Sequence, residues 1–315
     1  MLPYAVLSAL AVACSFSLTG GSFAASVCIW VTINVLLASS FRFVQIIGEL
    51  NFAIAGFFGL GAYASGYVTT ALGYPFVVSL LAGALVAGLF GLVTSYVTLR
   101  AKGPYFMLIS FALTEALGLV YTQIPAIGGN SGMVGIFPPE LLGNHYVSFV
   151  VAAVIGALWL LFGIERSGFG KTLVAIRNND AVVQSVGINV HRTKVVCVTI
   201  SAVLAGAGGA LLAHANNVIS PGDFSFLIAV YALAAVKVGG ESRLSGAVLG
   251  AIVLTLLAQV ALSFGPYEHI FYGAAIVLAL LTMPNGLVGI ADSIKRRLKA
   301  QTPPSHTTAG SRHGQ

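Results

Sequence analysis

Gly168-Phe169-Gly170-Lys171-Thr172 is the first stretch with the residue types for chemistry, because a Gly-Lys-Thr ending is how a phosphate-binding loop presents amides, an ammonium and a hydroxyl to a nucleotide. The full GxxxxGK[ST] spacing needs glycine at position 165, where Glu165 stands, and a strand leading in, where an apolar run ends instead. Nucleotide binding is therefore not expected on this chain. Glu115 is the second candidate, a lone carboxylate near the centre of an apolar run beside Ser110 and Thr114. A charge at mid-membrane costs about 3 kcal/mol or more, so such a residue serves a pathway or is hydrogen-bonded by a neighbouring helix or partner chain. Asn51, Thr114 and Glu115 are the candidate pathway residues, and Asn34 and Gln259 read as interhelical hydrogen bonders. His145, His191, His214 and His269 are scattered, and Cys14, Cys28 and Cys197 form no CxxC pattern. Neither a metal site nor a cofactor is expected on this chain.

The element that must position these groups is a bundle in a membrane. Of 315 residues, 57% are hydrophobic and 8% charged, against about a quarter charged in a soluble domain. The expected class is an all-α polytopic membrane protein, whose helices satisfy their own backbone groups in hydrocarbon. Ten apolar runs are expected to span: Pro3 to Leu18, Ser22 to Ser40, Ile47 to Leu72, Pro75 to Leu99, Pro104 to Gln123, Tyr146 to Ile164, Val195 to Ala213, Phe224 to Val238, Leu244 to Phe264 and His269 to Met283. All 15 Lys and Arg fall in or beside alternate intervals: Arg42; Arg100 and Lys102; Glu165 to Lys194; Lys237 and Arg243; and Lys295 to Arg312. Because positive residues collect on the cytoplasmic side, both termini are expected there. The net charge of +6 follows from orientation and anionic headgroups, with no nucleic-acid partner expected. No Lys or Arg precedes the first apolar run, so it is expected as a retained helix rather than a signal peptide. A transmembrane domain over 1–290 and a basic, disordered cytoplasmic tail over 291–315 complete the expected division.

Two halves of five spans have opposite orientations, the arrangement of an inverted repeat. Ile47 to Leu72 opens with Glu49 and Asn51 and is Gly-rich, while Phe224 to Val238 is short and ends at Gly239-Gly240. Each reads either as a broken, partly re-entrant helix or as a Gly-rich helix packed closely. Small residues also recur at helix-packing spacing in Ala87/Gly91, Ala202/Gly206 and Gly246/Gly250. Glu165 to Lys194 is the longest polar interval. It reads as two short helices, Thr172 to Asn178 and Ala181 to Val186, with Asp180 as N-cap of the second and Gly187 as its stop. Such an elbow is either an amphipathic linker on the membrane surface or a platform that grips a soluble partner. Lys237 and Glu241 could pair if their helix continued, which Gly239-Gly240 argues against; Arg42 and Glu49 stand too far apart to be read as a pair.

The run "SGFGKTLVAIRNNDAVVQSVGINV" at Ser167 to Val190 resembles the cytoplasmic loop of permease subunits of branched-chain amino acid ABC importers, a family that also covers urea and amide permeases. "LNFAIAGFFGLGAY" at Leu50 to Tyr63, "LRAKGPYFMLISFALTEAL" at Leu99 to Leu117 and "GGNSGM" at Gly128 to Met133 agree in the same order. So do "ISPGDFSFLIAVYALAAVKVGGESRLSGAVLGA" at Ile219 to Ala251 and "MPNGLVGI" at Met283 to Ile290. The departure is Lys237 and Glu241 around Gly239-Gly240, where the family has small or apolar residues and Gly-Ser. The resemblance implies a bacterial inner-membrane, multi-pass permease working with a second homologous permease, two ATPase subunits that hold ATP and Mg, and an extracytoplasmic solute-binding protein. It further implies that the elbow is an ATPase-coupling loop, with Gly170, Lys171, Arg177, Asn178, Asp180 and Gly187 as its expected residues.

The expected function is therefore inward movement of a small polar solute, a branched-chain amino acid in the first instance, by alternating access driven by ATP on another chain. A self-sufficient secondary transporter fits the inverted repeat and Glu115, and urea or short amides are alternative solutes within the family. A membrane enzyme lacks a visible acid/base pair or metal-ligand cluster.

Overall fold

The computed structural model describes residues 12, 15, 22–139, 142–282 and 286–289. The expected first span apart from Val12 and Ser15, the tail and the Met283 end of the last span lie outside the described residues. The helices of the bundle are α1 (Phe23–Gln45), α2 (Ile54–Thr70), α3 (Phe76–Thr98), α4 (Pro104–Gln123) and α5 (Tyr146–Arg166), then α8 (Val190–Asn216), α9 (Phe226–Gly239), α10 (Leu244–Ala261) and α11 (Glu268–Thr282). Two short helices, α6 (Gly168–Asn178) and α7 (Asp180–Ser185), form the elbow between α5 and α8. Among the described residues, seven helical segments are long and apolar enough to cross a membrane; α2 and α11 are shorter, at 17 and 15 residues.

The third expected span does not begin at Ile47. Residues 46–53 form mostly buried turns, with an exposed Gly48 at a φ of +82°, and α2 starts only at Ile54. Non-helical backbone at that depth is held because α4 satisfies it. The Phe52 amide donates to Ser110 Oγ at 3.0 Å, and Thr114 Oγ1 donates to the Phe52 carbonyl at 2.8 Å. The eighth expected span, by contrast, is continuous: a 3-10 turn at Pro221–Phe224, closed by a reciprocal Ser220–Asp223 capping box, leads into the unbroken 14-residue α9.

Packing follows the small residues. A Cβ at Gly61 of α2 would overlap the Gly206 carbonyl of α8, and one at Gly206 would overlap Ala87 of α3. In the other half, Gly239 of α9 meets the Gly246 carbonyl of α10, and Gly250 meets the Ala235 carbonyl. Without a hydrophobic drive between helices in lipid, such close backbone approach is what holds them together. α8 packs on α2 and α3, α1 packs on α9 and α10, and α1 and α8 meet each other. α2 also packs on α3 and α4, as α9 does on α10 and α11. Exchanging α1 with α8, α2 with α9, α3 with α10 and α4 with α11 maps these pairs onto themselves. The same exchange relates two Gly-Pro-Tyr sequences, at Gly103 and Gly265, whose glycines share a φ of 57° and a ψ of −125°. A two-stranded antiparallel ladder, β1 (Met133–Val134) with β2 (Val218–Ile219), joins the halves at the end opposite the elbow.

Candidate functional site

The elbow leaves α5 at a corner that only glycine fits, since a Cβ on Gly170 would overlap the Glu165 carbonyl. Ser167 Oγ caps α6 by accepting from the Gly170 amide at 3.5 Å. Leu173 turns into the bundle core, and Ile176 forms a small satellite core with Val183 and Val190. The N-cap of α7 is Asn179, not the expected Asp180: Asn179 Oδ1 accepts from the Ala181 and Val182 amides at 3.0 and 3.3 Å. The displacement has a physical reason. As the first helical residue, Asp180 keeps its carboxylate available, and it accepts from Lys102 at 3.0 Å and Lys194 at 3.5 Å. Gly187 follows α7 with a φ of +84°, the left-handed conformation that a helix stop demands.

Ion pairs clamp this elbow to the bundle. Lys194, in the first turns of α8, lies 3.1 Å from Glu49 Oε1, and Glu49 Oε2 accepts from the Gly103 amide at 3.0 Å. Arg42 of α1 donates to Glu165 Oε1 at the end of α5, and its Nε donates to the Glu241 carbonyl at 3.0 Å. Arg177 reaches Glu241 Oε1 at 3.4 Å, and Lys237 reaches Oε2 at 2.6 Å. The helix does stop at Gly239, yet Lys237 and Glu241 pair across the turn. The hydrogen bond from Lys237 holds the Glu241 carboxyl below the usual carboxylate range, partial burial pushes it the other way, and the charges of Lys237 and Arg177 add to the lowering.

Opposite the clamp, Lys171, Val174, Ala175 and Asn178 are exposed along one stripe of α6 at i, i+3, i+4 and i+7. On and just after α7, Val182 and Val186 are exposed too, at 60% and 71%. Of the expected coupling residues, Lys171 and Asn178 lie on this open face. Arg177 and Asp180 are turned to the bundle, and Gly170 and Gly187 set the corner and the stop.

Of the candidate pathway residues, Asn51 and Thr114 are brought together at the 46–53 turn and Glu115 is not. Asn51 is 2% exposed; its Oδ1 accepts from the Ala53 amide at 3.1 Å and its Nδ2 has no partner. Thr114 is buried beside it on Phe52, whereas Glu115 is exposed on the outer side of α4 with Phe111 and Leu119. The hydroxyls next to Glu115 in sequence are therefore spent on the 46–53 turn. Asn34 does bridge helices, donating to Thr255 Oγ1 at 3.2 Å. Sequence distance hid Arg42–Glu165 and Lys194–Glu49, whose partners stand 123 and 145 residues apart. The available signal was that each charge borders an apolar run and must find a counter-charge. Among the described residues, no group of three or more His, Cys, Asp or Glu is placed to hold a metal ion.

The sequence model of the family described as branched-chain amino acid transport system / permease component matches residues 23–280. The high-affinity branched-chain amino acid transport system permease protein LivM of Escherichia coli (strain K12) is 25% identical over 271 residues, 76% of this chain and 64% of LivM. The chain thus spans less than two thirds of LivM. LivH of the same organism, a permease protein of the same named system, is 25% identical over 78% of this chain and 87% of LivH. The ribose import permease protein RbsC of Haemophilus influenzae is 25% identical over 81% of this chain and 83% of RbsC. No solved structure matches. With the family's sequence model covering most of a helical membrane bundle, this chain belongs to the permease components of branched-chain amino acid ABC transport systems.

Proposed function

We propose that the chain forms part of the pore of an ATP-driven importer in a bacterial inner membrane and moves branched-chain amino acids inward by alternating access. The elbow carries this proposal. It is tied by Arg42, Glu49, Lys102 and Glu241 to four separate parts of the bundle, while the apolar side chains of Val174, Val182 and Val186 are uncovered. An exposed apolar patch at the aqueous end of a bundle is an interaction surface. A soluble partner that pulls on it acts on all four attachments at once. The partner is a pair of ATPase subunits holding ATP and Mg, docked on Lys171, Val174, Asn178, Val182 and Val186.

The rest of the assembly is inferred in the same way. Ten spans with both ends cytoplasmic make two five-helix halves of opposite orientation, a repeat supported by the exchangeable helix pairs and the two Gly-Pro-Tyr starts. A second, homologous permease covers the outer face of α4, since Glu115 facing lipid costs about 3 kcal/mol. A solute-binding protein meets the opposite end, where Val134 and Phe137 are each 68% exposed. The names of LivM and LivH support the solute class, and RbsC makes ribose the comparison solute for a test.

Affinity purification of the tagged chain from its own membranes, followed by uptake in proteoliposomes, tests this. ATPase subunits are expected to co-purify and to be lost with Val182→Asp/Val186→Asp, and uptake of leucine, isoleucine and valine is expected to need ATP. Uptake by the chain alone on a proton or sodium gradient overturns the proposal.

A further inference from the structure

Two cavities occupy matching places in the two halves, one open and one shut. The open one, about 360 Å³, lies mainly among α1, α9, α10 and α11 at the end away from the elbow, with Phe58 of α2 and Leu212 of α8 at its edge; Asn34, Tyr231, Thr255, Ala258 and Gln259 are on its wall. The shut one, about 10 Å³, lies among α8, α2, α3 and α4 at the elbow end; Asn51, Ser95, Thr98, Ser110 and Val198 are on its wall. The exchange that maps the helix pairs onto themselves carries the first set of helices onto the second.

Individual positions correspond as well. Asp223 of the open cavity and Asn51 of the shut one each stand three residues before the helix they introduce, and each is followed by phenylalanine. Tyr272 and Ser110 each stand seven residues after the glycine of their Gly-Pro-Tyr. The shut cavity has room for about one water molecule. It is nevertheless polar, and the buried Asn51 Nδ2 on its wall has no hydrogen-bond partner. Native folds seldom leave a buried donor orphaned without a compensating role.

The geometry points to one gate built twice, in which the Asn51 pocket opens at the elbow end as the cavity around Asn34 and Ala258 closes. This rests on the alternating-access proposal above. Two halves with equivalent packing have access to the same two conformations, so exchanging open for shut between them replaces one set of contacts by an equivalent set. The opened pocket admits the carboxylate of a small solute, which gives Asn51 Nδ2 an acceptor.

Thiol labelling of the assembled transporter tests the exchange, with Cys14 and Cys28 replaced by Ser and the fully buried Cys197 kept as a marker of unfolding. Ala258→Cys and Ser95→Cys report the two cavities in separate variants. Vanadate trapping is expected to change their labelling rates in opposite directions, each severalfold. Without nucleotide, a wedge at the shut pocket, Ser95→Trp, is expected to lower labelling of Ala258→Cys; Thr98→Phe takes its place if the first wedge exposes Cys197. Rates that move together, or a wedge that leaves Ala258→Cys labelling unchanged while Cys197 stays protected, overturn the exchange. Reciprocal labelling under the wedge in a complex that hydrolyses no ATP supports the exchange and sinks the ATP-driven proposal instead.

Discussion

The Lys194 ammonium sits 3.1 Å from Glu49 Oε1, and the two side chains are only 8% and 6% exposed. It ties the start of α8 to the turn before α2, and its second contact with Asp180 brings in the elbow. A buried pair of this kind contributes little net stability when intact, but removal of one partner leaves the other charged and desolvated. Lys194→Met is expected to destabilise the chain by about 3–5 kcal/mol. Glu49→Gln/Lys194→Met should recover much of that, because glutamine can still accept from the Gly103 amide. Thermal unfolding in detergent over the four-member cycle checks this, and additive losses would refute it.

Glu241 gathers Lys237 and Arg177 at the far side of the elbow. Its carboxyl is held below the usual range in the folded chain, first by the Lys237 hydrogen bond. A lowered folded-state pKa gives stability that is present above the unfolded carboxylate value, about 4.3, and lost as pH falls through the folded value. The α6 attachment is therefore expected to hold at neutral pH and to loosen below about pH 4. A polarity-sensitive probe on Val174→Cys should report that change, and Glu241→Gln should flatten it. With the Glu241 side chain 37% exposed, high salt is expected to weaken the attachment at pH 7 as well.

These attachments mark where the sequence was legible and where it was not. Among the described residues, hydropathy located the apolar helices and the polar elbow between them, because apolar runs of about 20 residues are local signals. Gly187 was legible for the same reason. The Asp180 cap was misplaced by one residue because Asn179 and Asp180 cap equally well on local grounds, and the choice was made by distant Lys102 and Lys194. Ile47 looked like a helix start because Ile46, Ile47, Leu50, Phe52 and Ala53 carry the apolar run across Glu49 and Asn51; what keeps the turn open is hydroxyl bonding from Ser110 and Thr114, a tertiary effect. Glu115 stood out as a lone carboxylate in an apolar run, but its orientation depends on which face of α4 the core takes.

The meeting of Gly61, Gly206 and Ala87 sets how closely α2, α3 and α8 approach. Gly206→Val is expected to force these backbones apart and to cost at least about 1–3 kcal/mol, the usual range for overpacking. Gly118 is the matched control: a Cβ there meets nothing within 4 Å. Gly118→Ala in the interior of α4 is expected to be neutral, or stabilising by about 0.5–1 kcal/mol. Comparing the two variants by thermal unfolding separates close packing from the general effect of glycine in helices.

Glu115 lies exposed on α4 with Phe111 and Leu119, away from the buried line of Phe106, Ser110, Thr114 and Leu117. If a second permease covers this face, the carboxylate meets protein or water there and its loss is felt only in the assembly. Glu115→Leu should then leave thermal unfolding of the isolated chain in detergent unchanged, while slowing uptake or weakening the permease pair in proteoliposomes. If the face instead meets lipid, removing the charge should stabilise the bilayer-embedded chain by about 3 kcal/mol and leave transport intact. Glu115→Gln separates charge from hydrogen bonding. It should retain pairing if the partner supplies a donor, and behave like Glu115→Leu if the partner supplies a cation.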